Sequence, residues 1–71
     1  MITQIVNALR ESNLLVTFKA NKCFIRSIMD DDERNDVYIP LESYAEALKT
    51  QKKTLKQILG EAKRSLKYGG I

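Results

Sequence analysis

The side chains that could do chemistry are few, and their types favour binding over reaction. There is no His, no Trp and a single Cys in the 71 residues. Without His the commonest acid–base group is missing, and no glycine-rich loop is present to cradle a phosphate. One cysteine excludes a disulfide framework and a zinc site of the usual Cys/His kind. Cys23 lies between Lys22 and Phe24 in a strand-like run, where a free thiol reads as a small buried hydrophobe. The densest carboxylates form D-D-D-E-R-N-D over Asp30–Asp36. Asp30, Asp31, Asp32 and Asp36 could pair for acid–base work, but no pocket-forming residues surround them. The run also lacks the alternating ligands, central Gly and closing Glu of an EF-hand. It reads as a solvated, mobile loop. No metal or cofactor is implied, and the chain reads as a non-catalytic binding module.

Charge is distributed in blocks. Residues 1–29 carry four basic and one acidic side chain, residues 30–46 one basic and seven acidic, and residues 47–71 seven basic and one acidic, giving +3, −6 and +6 within an overall +3. The blocks can neutralise one another across a fold or meet an acidic partner. Lys49, Lys52, Lys53, Lys56, Lys63, Arg64 and Lys67 could line a helix face against phosphates. They could equally solvate an amphipathic helix. The order helix, strands, helix is also that of a double-stranded-RNA-binding domain. However, the place of that family's basic motif holds the acidic L-E-S-Y-A-E.

These residues must be positioned by a small α+β domain, since a chain of this length buries only about 60% of its unfolded surface. Thr3 is a suitable N-cap for a helix to Ser12 carrying Ile5, Val6 and Leu9, with Asn13 in a left-handed position after it. L-L-V-T-F-K and C-F-I-R-S-I-M then form a hairpin through Ala20-Asn21. On the second strand Cys23, Ile25 and Ser27 share one side and Phe24, Arg26 and Ile28 the other. If Leu14, Val16 and Phe18 face the helices, the other face is a greasy surface holding an arginine. Val37–Ile39 is a third strand or an extended approach to Pro40.

Tyr44, Leu48, Leu55, Ile58, Leu59, Ala62 and Leu66 fall at helical spacing, with a polar skip at Gln51 and Lys52. A single helix of about 27 residues would be ~40 Å long, too long for a globule with a radius of gyration of ~11 Å. Two helices with a break near Thr50 are expected, and Gly60 is a second weak point. No apolar run reaches the ~18 residues of a membrane span. A cytoplasmic protein is expected. K-Y-G-G-I reads as a helix stop, with residues 67–71 opening a flexible linker after a domain over residues 1–66.

An exposed hairpin edge offers unpaired N–H and C=O groups to an incoming strand, and Phe24, Arg26 and Ile28 would suit a motif alternating apolar and acidic residues. The opening I-V-N-A-L with N-L-L-V-T-F, the hairpin C-F-I-R-S and the run L-K-T-Q-K-K-T-L-K-Q-I-L over residues 48–59 resemble the tubulysin-synthetase (TubC) type of N-terminal docking domain. That family sits at the start of nonribosomal peptide synthetase and polyketide synthase subunits. In the last run Leu48, Lys49, Lys52, Leu55, Ile58 and Leu59 fit the family's pattern in register. The insert Asp30–Asp36 is longer than the family's connection, and Ala20-Asn21 replaces its usual turn Gly.

The resemblance implies an α-β-β-α-α fold with the hairpin packed on helices, occurring as a monomer or weak homodimer. It implies a parent that is a nonribosomal peptide synthetase, with the acidic C-terminal peptide of the upstream subunit adding as a strand beside the second hairpin strand. It assigns recognition to Phe24, Ile25, Arg26, Ser27 and Ile28. Lys22 and Arg26 pair with the acidic tail, and Lys52 and Lys53 stand second. The alternative reading is a small nucleic-acid-binding or phage-type regulatory protein using the basic C-terminal helices.

Overall fold

Sequence periodicity translates directly into the elements of the computed structural model, which describes residues 1–67. They are α1 (Ile2–Glu11), β1 (Leu14–Lys19), β2 (Lys22–Ser27), a single 3-10 turn (Glu33–Asn35), β3 (Val37–Ile39), α2 (Leu41–Lys49) and α3 (Leu55–Lys67). This is the expected α+β order, and of the two readings left open for Val37–Ile39 the strand is the one that forms. The three strands form one antiparallel sheet in the order β1-β2-β3. The Cα radius of gyration is 11.4 Å. Among the described residues no helix is long and apolar enough to cross a membrane. The linker expected over residues 67–71 lies outside the described residues except for Lys67, which ends α3.

Helix α1 is capped two residues earlier than expected. Met1, not Thr3, is its N-cap, and no side chain caps it. At the other end Asn13 takes φ 64°, as its tolerance of left-handed backbone suggests. The hairpin closes through Ala20 and Asn21, both left-handed at φ 50° and 63°. That is the turn whose twist matches the strands. Asn suits it; Ala does so at a cost of about 1–2 kcal/mol.

The break between the last two helices lies at the polar skip. Thr50 ends α2, its hydroxyl donating to the Glu46 carbonyl at 2.9 Å, and Gln51 turns left-handed at φ 61°. The Lys52 amide then donates to the Ala47 carbonyl at 2.9 Å, turning the chain. Thr54 and Gln57 start α3 as a reciprocal cap: the Gln57 side chain accepts from the Thr54 amide at 2.8 Å, and the Thr54 hydroxyl accepts from the Gln57 amide at 3.2 Å.

Helices α1 and α3 cover one face of the sheet, and α2 packs against α1. Ile5 and Leu9 of α1, Cys23 and Ile25 of β2, Val37 and Ile39 of β3, Tyr44 of α2, and Ile58 and Ala62 of α3 form one buried cluster. Leu14 and Val16 join it from β1, but Phe18, on the same side, is 54% exposed because the hairpin end runs past the helices. Gly60 does not interrupt α3, and a Cβ there would meet nothing within 4 Å. Gly60→Ala is therefore expected to stabilise the fold by about 0.5–1 kcal/mol through helix propensity alone. A thermal melt should move up by about 2–8 °C.

Candidate functional site

The helices leave the other face of the sheet bare, and strand alternation decides what stands on it. In β2, Cys23 and Ile25 point into the core, so Phe24 and Arg26 point out. Register puts Thr17 of β1 and Tyr38 of β3 on either side of Phe24, and Leu15 beside Arg26. Phe24 and Tyr38 meet edge to face with ring centroids 6.1 Å apart, and the Lys22 ammonium lies 6.0 Å from the Tyr38 centroid. Leu15 and Tyr38 are exposed.

Arg26 is not a free charge on this face. Its Nη1 lies 3.3 Å from Asp36 Oδ1, and the two side chains are only 12% and 10% exposed. Lys19 Nζ donates to Asp36 Oδ2 at 3.2 Å, so one carboxylate holds two cations. Arg26 Nε and Nη1 are buried and donate no hydrogen bond. A cavity of about 320 Å³ lies beside them, lined in part by Ser27, Asn35 and Asp36.

The acidic segment is largely exposed, as expected of a solvated loop, and its side chains also make a set of local hydrogen bonds. Asp30 accepts from the Asp32 amide at 2.9 Å and from Asn35 Nδ2 at 2.7 Å. Asp32 accepts from the Arg34 amide at 3.0 Å and from its guanidinium at 2.9 and 3.1 Å. These bonds hold the Asp32 carboxyl below its ordinary range, the Arg34 side chain being the largest cause. Asp side chains that bond backbone two residues on build local turns. Among the described residues no group of three or more His, Cys, Asp or Glu is placed to hold a metal ion.

The residues assigned to peptide recognition are only partly brought together. Phe24, Arg26 and Lys22 share the bare face. Ile25 does not: it is fully buried, because alternation turns it into the core. Ile28 is exposed but lies past the end of β2, in the turn where the Asp30 amide bonds the Ser27 carbonyl at 3.0 Å. Ser27 ends the strand and is exposed. Lys53 bridges Glu61 at 2.7 and 2.8 Å and lies 5.8 Å from the Tyr44 ring centroid. Burial, with Glu61 adding, pushes the Tyr44 hydroxyl up. Lys52 is exposed in the α2–α3 link. Among the described residues no hydrogen bond or ion pair ties Lys52 or Lys53 to the hairpin. Cys23 is buried, and burial pushes its thiol up, away from the reactive thiolate.

Strand addition beside β2 is also corrected. β3 pairs with β2 through Cys23–Ile39, Phe24–Tyr38 and Ile25–Val37, so β2 is the central strand and that edge is filled. Among the described residues the free edges belong to β1 and β3. β3 has three residues and ends at Pro40, which has no N–H to give. β1 has six. The Ile28 amide donates to the Asn13 carbonyl at 3.1 Å, so by antiparallel alternation Leu15, Thr17 and Lys19 bond β2. Leu14, Val16 and Phe18 then present their amides and carbonyls outward. Sequence reasoning missed this edge and the Asp36 partner of Arg26. The V-Y-I alternation, two apolar residues flanking an outward Tyr38, was the available signal for β3. Compared with protein-family models, curated proteins and solved structures, the chain matches none.

Proposed function

We propose that this chain is a protein–protein docking module that takes an extended acidic segment of another chain as a strand added along β1. The observation that carries the reading is the unpaired edge of β1, six residues without a proline or an inward-facing charge. Natural edge strands are usually blunted by such devices. Lys22 stands opposite Lys19 as the register's last pair and, unlike Lys19, which Asp36 holds, enters no ion pair among the described residues, so it favours a partner with a carboxylate there. The reading keeps the kind of partner that the resemblance implies, the C-terminal peptide of an upstream megasynthase subunit in the cytoplasm, and moves it one strand over. It assigns the chain no catalytic step.

Affinity should be weak to moderate, because a short peptide must be ordered on binding. The test is calorimetry with an acidic C-terminal peptide and the same peptide N-methylated on alternate amides. Losing about three backbone hydrogen bonds at ~1 kcal/mol each should weaken binding roughly 100-fold in one methylation phase and little in the other. Equal affinity for both methylated forms and the parent would remove strand addition from the reading.

A further inference from the structure

We infer that the outer face of α3 is a second site, independent of the β1 edge, which binds duplex DNA through its phosphates. Ile58 and Ala62 turn one side of α3 into the core, with Leu55, Leu59 and Leu66 beside them. At 3.6 residues per turn the opposite side carries Lys56, Gly60, Lys63 and Lys67 in one row, with Arg64 flanking it. All five are exposed. None of the four cations enters an ion pair among the described residues, where the pairs are Lys19–Asp36, Arg26–Asp36, Arg34–Asp32 and Lys53–Glu61. Glu61, the one acid of this helix, is held to the side by Lys53. The row is therefore a run of uncompensated positive charge about 16 Å long.

Gly60 is the second observation. Packing does not call for it, since a Cβ would meet nothing within 4 Å. Glycine inside a helix costs up to about 1 kcal/mol relative to alanine. Its effect on the surface is to leave the backbone bare between Lys56 and Lys63, room for a phosphate to come close. The occupant follows from what else the face has. Among the described residues α3 has no aromatic side chain on which bases could stack, which argues against single strands. Gln57, its one amide side chain, has its oxygen engaged by the Thr54 amide. With no stacking platform and little to read base edges, the contacts are to phosphate and are insensitive to sequence. A helix of this kind fits the major groove of B-form DNA, about 12 Å wide, and not the deep, narrow groove of duplex RNA.

The experiment is fluorescence anisotropy of the full chain with a labelled DNA duplex between 50 and 200 mM salt. Four phosphate contacts give a slope of log K against log salt near −3.6, so affinity should fall by roughly 150-fold over that range. Lys63→Gln with Lys67→Gln should lower the slope by about 2. Lys49→Gln with Lys52→Gln, the same loss of net charge on exposed positions away from the row, should leave it nearly unchanged. Equal losses from both pairs would reduce the effect to bulk charge and overturn the assignment. So would duplex RNA or poly-glutamate binding as tightly as DNA. Each variant is exposed, and an unchanged far-UV spectrum separates lost contacts from lost fold.

Discussion

Ile25→Ala is expected to destabilise the fold by about 2–5 kcal/mol, the range for truncating a fully buried isoleucine. Ile25 sits in the central strand, paired with Val16 on one side and Val37 on the other, and has no exposed surface. A domain of this size has a total stability on the order of 4–10 kcal/mol. The substitution therefore removes a large share of it and should lower Tm by at least about 10 °C. Phe18→Ala supplies the contrast. Phe18 is larger and lies on the same side of the sheet, but more than half of it is exposed. Its loss should cost under about 1 kcal/mol, since surface substitutions act weakly. Chemical denaturation of the two variants separates side-of-sheet parity from burial as the source of stability. Equal costs would mean that the hairpin end is covered.

Arg26→Glu has the second large expected effect, and it acts on folding. The substitution takes one of two cations from Asp36 and sets a second carboxylate against it in a poorly exposed place. Breaking such a pair from one side costs about 3–5 kcal/mol, because a buried charge is left uncompensated. Loss of peptide binding by this variant would therefore say nothing about contact with a peptide; Lys22→Glu, on an exposed lysine, is the cleaner probe. Removing both charges should behave differently. Arg26 Nε and Nη1 donate no hydrogen bond, so the pair draws incomplete benefit from its burial. Arg26→Met with Asp36→Leu should recover most of the loss, as replacement of buried pairs by apolar residues often does. A double-mutant cycle by urea denaturation measures the coupling. A double variant as unstable as the sum of the singles would show that the two side chains act separately.

Those two sites also mark where the sequence was legible. Alternation in β2 put Cys23 and Ile25 on one side without saying that it was the core, and helical spacing from Tyr44 to Leu66 made two helices readable with the break at the polar skip. Both are periodic signals, repeated over many residues. The Arg26–Asp36 pair has no such signal. It arises because β3 folds back beside β2, and a three-residue strand carries too little pattern to announce its register. The hydrogen bonds within the acidic segment were unreadable for a related reason. Composition counts carboxylates, whereas these bonds depend on which Asp oxygen meets which amide. Thr3 failed as a cap because Met1 already begins the helix, and a local preference cannot say which turn comes first. The β1 edge stayed hidden until β2 was known to be central. Strand order is a property of the whole sheet.

The position of α3 has a consequence for how the chain comes off the ribosome. Ile58 and Ala62 are fully buried against elements made earlier, and they belong to a helix that leaves the ribosome after all of those elements. Until that helix arrives, α1 and the hairpin carry the apolar faces of Leu9 and Ile25 without their final cover. The nascent chain thus passes through a stage in which its stickiest surface and its unpaired β1 edge are open together. Domains fold as units during synthesis, and exposed apolar surface and strand edges make partial chains prone to associate. Neighbouring ribosomes on one message would bring such chains within reach of each other, so the open β1 edge is a hazard before α3 docks as well as a binding edge after it.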